Sequence, residues 1–227
     1  MLKQRVTLNS PSPEVFSVIQ LWTTNEPLLP NLKSLHLLRI NKSFISFIPF
    51  LLSPRITSIS LTFEFDLPDT MIASTITALP TLCPDLQLID LFSLPRDPVI
   101  TAAVSEMLLV TNRNTLQWLY VDSPLTEEAS EVLYRLPNLC GLSVVIERET
   151  SLPSASLPNL TELTITCDDE DDWPRLFHGA TLKKLKSVSF YPDSELIGDF
   201  LGTFEMAALS SSIQNVLSEF YLFIPHI

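Results

Sequence analysis

Apolar residues recur along this chain in one short phrase, L-x-x-L-x-L or its aliphatic equivalent. It is read at Leu32/Leu35/Leu37, Ile56/Ile59/Leu61, Leu86/Ile89/Leu91 and Leu116/Leu119/Val121. It returns at Leu139/Leu142/Val144, Leu160/Leu163/Ile165, Leu185/Val188/Phe190 and Leu217/Phe220/Leu222. The residue three after each start is always apolar. The residue four after (His36, Ser60, Asp90, Tyr120, Ser143, Thr164, Ser189, Tyr221) is never aliphatic. Alternation of this kind predicts short strands with one buried face. Val6-Thr7-Leu8 suggests a ninth copy.

Five of the starts follow a turn phrase. Leu29-Pro30-Asn31-Leu32, Leu136-Pro137-Asn138-Leu139 and Leu157-Pro158-Asn159-Leu160 carry it in full. Ser53-Pro54-Arg55-Ile56 and Cys83-Pro84-Asp85-Leu86 are degenerate copies. Successive starts lie 21 to 32 residues apart, near the range of short solenoid repeats. Helical periodicity fills the longer intervals. Ser12-Pro13-Glu14 opens Val15–Trp22, Asp97-Pro98 opens Val99–Val110 and Ser123-Pro124 opens Leu125–Arg135, each by a capping side chain followed by proline. Asp69 starts Thr70–Leu79, and Asp193-Ser194-Glu195 starts a stretch to about Leu209. The interval between Val144 and Leu157 holds only an extended or single-turn connection. Prolines of the turn phrase then end each helix.

One strand–turn–helix unit cannot bury its apolar side alone, so neighbours must stack. The expected fold is α/β: a right-handed arc with a parallel sheet inside, helices outside and about eight irregular repeats. A single domain over residues 1–227, without true caps at either end, is expected. Uncapped apolar edge strands predict self-association.

Composition narrows the function. The chain has 227 residues, 40 of them leucine, with 14 Lys+Arg against 26 Asp+Glu and a net charge of −12. That balance argues against binding nucleic acid or an anionic membrane surface, both of which need clustered cations. The longest strongly apolar run, Phe44–Leu52, is too short to span a bilayer and contains a proline. Met1–Val6 has no secretory apolar core. An intracellular location is expected, cytoplasmic or nuclear. Cys83, Cys140 and Cys167 are far apart with no CxxC, so buried thiols are expected rather than disulfides or zinc.

In these residues the chain resembles the leucine-rich repeat family in its long, irregular, ribonuclease-inhibitor-like form. Leu-Pro-Asn-Leu-x-x-Leu-x-Leu units of uneven length are similar to the repeat region of basidiomycete F-box proteins. The usual Asn or Cys eight residues after each start is replaced by Ile40, Glu64, Leu94, Pro124, Glu147, Asp168 and Asp193. With no F-box read ahead of the repeats, the resemblance implies the expectation that this chain alone should not bind the cullin-ring ligase adaptor. The resemblance implies protein–protein recognition by the inner sheet surface, as the substrate-reading part of an F-box-like ubiquitin-ligase component. The alternative reading is a structural or truncated fragment with no dedicated ligand. Small-ligand binding in the arc is a third reading, for which serine-rich columns supply little.

Enzymatic chemistry finds few candidates, and no cofactor, metal ligand or catalytic residue is expected. His36 is assigned to the open sheet face, beside no Ser or Cys nucleophile. His178 follows Leu176-Phe177 in a connection, and Gly198/Gly202 have small-xxx-small spacing outside any apolar 20-mer. The acidic run Asp168–Asp172 reads as a solvated loop, with a basic peptide as its candidate ligand. The outward columns point to a partner site. Leu88, Asp90 and Phe92 from one strand and Trp118, Tyr120 and Asp122 from the next form an aromatic patch with two carboxylates. Exposed aromatics on a rigid surface are where interface energy concentrates. The flanking columns, Ser58/Ser60/Thr62 and Gly141/Ser143/Val145, offer little of their own.

Overall fold

The computed structural model describes residues 5–9, 27–111, 114–133, 135–146, 157–167, 184–192 and 219–222. The chain is an α/β protein of two compact units, residues 1–116 and 117–227. In the first unit, β1 (Arg5–Asn9), β2 (Ser34–Ile40), β3 (Ser58–Phe63) and β4 (Leu88–Phe92) lie side by side, parallel and in chain order. In the second, β5 (Trp118–Pro124), β6 (Gly141–Ile146), β7 (Glu162–Cys167), β8 (Ser187–Pro192) and β9 (Glu219–Leu222) do the same.

The apolar position three after each start becomes one row in each unit. Val6, Leu35, Ile59 and Ile89 are register partners in the first. Leu119, Leu142, Leu163, Val188 and Phe220 are partners in the second. Leu35, Ile59, Ile89 and Leu119 have no solvent exposure. The strand suggested at Val6–Leu8 is therefore present.

Stacking is reinforced by a repeated backbone device at the position just after each start. The Lys33 carbonyl accepts from the N–H groups of Thr57 (2.9 Å) and Ser58 (3.2 Å), and the Thr57 carbonyl from those of Gln87 (2.7 Å) and Leu88 (3.1 Å). In the second unit the Gln117 carbonyl accepts from Cys140 (2.7 Å) and Gly141 (3.0 Å), and the Cys140 carbonyl from Thr161 (2.7 Å) and Glu162 (3.1 Å). The Thr161 carbonyl likewise accepts from Lys186 (2.8 Å) and Ser187 (3.0 Å). Each of these oxygens uses both lone pairs on the next repeat, so the two amides at each of these five strand starts are paired.

The turn phrase closes as a four-residue turn: the N–H of Leu32 donates to Leu29 (3.0 Å), of Ile56 to Ser53 (3.0 Å) and of Leu160 to Leu157 (3.2 Å). Proline presets φ at the second position of such a turn. The third position reaches between repeats. Arg55 Nη1 donates to Asn31 Oδ1 (2.6 Å), Asn159 Nδ2 to the Pro137 carbonyl (2.7 Å) and Lys184 Nζ to Asn159 Oδ1 (2.7 Å).

Two strands end at a left-handed residue, Arg39 (φ 55°) and Ser93 (φ 58°), each seven after its start. The twist turns the next residue inward, and Ile40 and Leu94 are buried. Apolar side chains thus occupy the position where the leucine-rich resemblance has asparagine. β2 carries one residue more than β3 between the paired positions Leu37/Leu61 and Ile40/Phe63, so Leu38 and Arg39 both face solvent.

Helices line the connections. The apolar run forms two single turns, α1 (Lys42–Ile45) and α2 (Ile48–Leu51), which bury Phe44, Ile45, Ile48 and Leu51. Asn41 caps the first, its side chain accepting from the Phe44 N–H at 3.0 Å. α3 (Asp69–Leu82) and α4 (Pro98–Val110) pack against one another. Asp97 caps α4 as expected, accepting from the Val99 N–H at 2.8 Å.

Two expectations are corrected. α3 continues past Leu79 with Pro80 inside it, because Leu79 and Pro80 are both buried and the Cys83 N–H still reaches the Leu79 carbonyl (2.8 Å). Ser123-Pro124 does not open a helix. Both residues are buried and complete β5, which holds two more residues than β6 between Tyr120/Ser143 and Pro124/Val145. The helix α5 (Glu127–Leu133) starts later, with Thr126 Oγ1 accepting from the Ala129 N–H at 3.3 Å. The helices expected at 15–22 and from Asp193 to Leu209, most of the Val144–Leu157 connection and the acidic run Asp168–Asp172 lie outside the described residues, as do His178 and His226.

Candidate functional site

The strands that bury their leucines present the intervening residues on the opposite side. In the first unit, Leu88 and Asp90 are half-buried and Phe92 is 45 % exposed, while the alternating Ile89 and Leu91 are sealed. The neighbouring strand offers Ser58, Ser60 and Thr62 as their direct register partners. The assigned triplet therefore shares one side of β4.

One further row in this unit bears on the expectation that His36 stands beside no Ser or Cys nucleophile, since a serine does lie next to it. Ser60 is its register partner, and Asp90 is the partner of Ser60 on the far side. Ser60 is buried. The order does not build a nucleophilic triad. Such a triad places imidazole between hydroxyl and carboxylate; here serine is central and His36 and Asp90 stand two strands, roughly 10 Å, apart.

In the second unit, Trp118, Tyr120 and Asp122 are half-buried and alternate with buried Leu119, Val121 and Ser123. The structure brings Trp118 and Tyr120 together, with ring centroids 6.3 Å apart and planes tilted by 31°. Both lean over the neighbouring strand onto Gly141, the register partner of Trp118. A Cβ on Gly141 would meet the Trp118 indole and stand 2.8 Å from Tyr120 Oη. The glycine is the seat of the aromatic pair, a role the sequence reading did not give it. The available signal was its place in the strand: a glycine on a column otherwise carrying side chains marks a close approach.

Beyond Gly141 the same row continues to Glu162, which is exposed, and to half-buried Ser187. The next row runs Tyr120, Ser143, Thr164 and Ser189. The surface is thus an aromatic tile bordered by a carboxylate and then by hydroxyls. Chemically it suits contact with another surface: it is part-apolar and held on strands.

The thiols differ by environment. Cys83 is buried, and desolvation pushes its thiol up to about 11, opposed in part by a backbone hydrogen bond from Ser53. Cys140 is half-buried and free. Among the described residues no group of three His, Cys, Asp or Glu side chains is placed to hold a metal ion, and no helix is long and apolar enough to cross a membrane.

Set beside protein-family models, curated proteins and solved structures, the chain matches none of them.

Proposed function

We propose that this chain is a leucine-rich-repeat protein of the ribonuclease-inhibitor-like kind that recognises a protein partner through the polar side of its parallel strands. In this reading it is the substrate-reading part of an F-box-like ubiquitin-ligase component. The observation that carries the proposal is the Trp118–Tyr120 pair, half-exposed and seated on Gly141. Aromatic side chains already held in place lose little entropy on binding and supply large contact area. The repeated L-x-x-L-x-L pattern and the carbonyl at the same position of successive repeats support the repeat assignment.

The test is capture. The immobilised chain should retain a protein from a lysate of its source, and Trp118→Ala should lose it while still melting cooperatively. Equal retention by both proteins would reject this surface as the site. A variant that no longer melts cooperatively would make Trp118 part of the core. The ligase role predicts that the captured protein lives longer in cells lacking this chain; an unchanged lifetime counts against it.

A further inference from the structure

We propose that the partner inserts an arginine side chain onto the Trp118 indole, with its guanidinium turned to the Glu162 carboxylate. This deepens the recognition reading above and rests on it. The two residues are joined by register: Trp118 pairs with Gly141 and Gly141 with Glu162. Adjacent strands lie about 4.8 Å apart, so Trp118 and Glu162 stand roughly 10 Å apart at the backbone. Gly141 removes the side chain that would otherwise fill that interval, and the indole lies across it. The Cε3–Cζ3 edge of the indole takes the place a Gly141 side chain would hold, and Trp118 remains half-exposed. A carboxylate borders the tile on the far side of the glycine.

Both halves of the notch favour the same ligand chemistry. A cation over an indole face is attracted by the ring quadrupole. A planar guanidinium can stack there and still direct its N–H groups at a carboxylate, a geometry the ammonium of lysine does not reproduce. Glu162 is engaged in no ion pair among the described residues. The rows Trp118–Gly141–Glu162–Ser187 and Tyr120–Ser143–Thr164–Ser189 contain no lysine or arginine that could compete. The chain as a whole carries a net charge of −12, which draws cationic partners toward it. An acidic or phosphorylated partner would meet repulsion at the same place.

The experiment titrates the full chain with a blocked Gly/Ser peptide carrying one arginine, and with its lysine and citrulline counterparts, following indole N–H signals by NMR. The Trp118 signal is assigned by its loss in Trp118→Leu. The arginine peptide should shift that signal with saturation, lysine should bind more weakly, and citrulline should give no saturable shift. Glu162→Gln should weaken the arginine peptide about three- to fivefold by this signal, and Trp118→Leu should do the same when binding is followed on the arginine side-chain resonances of the peptide. Glu106→Gln, which removes the same charge from an exposed position of α4, should leave it unchanged. Equal weakening by Glu106→Gln and Glu162→Gln would reduce the effect to general attraction and overturn the proposal. So would citrulline binding as well as arginine, or shifts that bypass Trp118. The two levels of the argument separate in the capture experiment. A partner lost by Trp118→Ala but held equally by Glu162→Gln leaves the recognition surface standing and removes the arginine.

Discussion

The indole of Trp118 occupies the space that a methyl group on Gly141, its register partner on the next strand, would claim. Gly141→Ala must therefore displace the indole. Overpacking of this kind costs about 1–3 kcal/mol, whereas alanine replacing an unencumbered strand glycine gains roughly 0.5–1 kcal/mol. The expected result is a lower denaturation midpoint together with a moved Trp118 indole resonance. A more stable variant with an unmoved resonance would show that the seat does not exist.

Cys83 should behave as an inert thiol. Its proton is held to about pH 11 by burial, against an ordinary value of 9.0. In the folded chain the neutral thiol persists where the unfolded chain has already lost the proton. The associated stability is complete below pH 9 and is lost as pH rises toward 11, by at most on the order of 2–3 kcal/mol. Denaturant melts across that window should show the decline, and Cys83→Ala should flatten part of it. Iodoacetamide at neutral pH should modify half-buried Cys140 before Cys83. Equal labelling of the two would contradict the burial.

Ser53 stands where the full turn phrase has leucine, and its hydroxyl is buried without a hydrogen-bond partner among the described residues. A desolvated hydroxyl without a partner is a cost that alanine removes. Ser53→Ala is expected to raise stability by about 1 kcal/mol, read from chemical denaturation. The backbone N–H that supports Cys83 is retained in this variant, so the alkylation order should not change. A destabilised Ser53→Ala would mean that the hydroxyl is satisfied in solution.

Helix caps distinguish the corrected start of α5 from the expected one. Thr126→Ala removes the side-chain acceptor for the Ala129 N–H and should cost about 1 kcal/mol. Asp97→Ala should cost a similar amount at the start of α4, about 1 kcal/mol. Rescue of the α5 variant by serine at position 126, but not by aspartate at position 125, would place the cap at 126. A harmless Thr126→Ala would return the helix start to Ser123.

Much of the fold was legible because strand burial has a period of two. Leu35, Ile59, Ile89 and Leu119 could be placed inside, and His36, Asp90 and Tyr120 on the other side, without any tertiary information. The start of α4 was equally local, since Asp97 caps through an amide two residues away. The end of α3 was not. Pro80 is a poor helix residue by propensity, and only its burial explains why the helix continues through it. Ser123-Pro124 misled for the same reason: the pair carries a capping signature, while the residues it packs among hold it in a strand. The outward placement of Trp118 and Tyr120 was legible; their seat on Gly141 was not, because that contact joins residues more than twenty positions apart.

The sequence alone determined the α/β class, the parallel strands and the side of each strand that carries leucine, since all three follow from spacing and the need to bury apolar rows. Tertiary structure decided where strands gain residues, where helices stop and which outward side chains lean together. Those outcomes depend on the space a neighbouring repeat leaves. At Gly141 that space is one missing side chain wide, and Trp118 fills it.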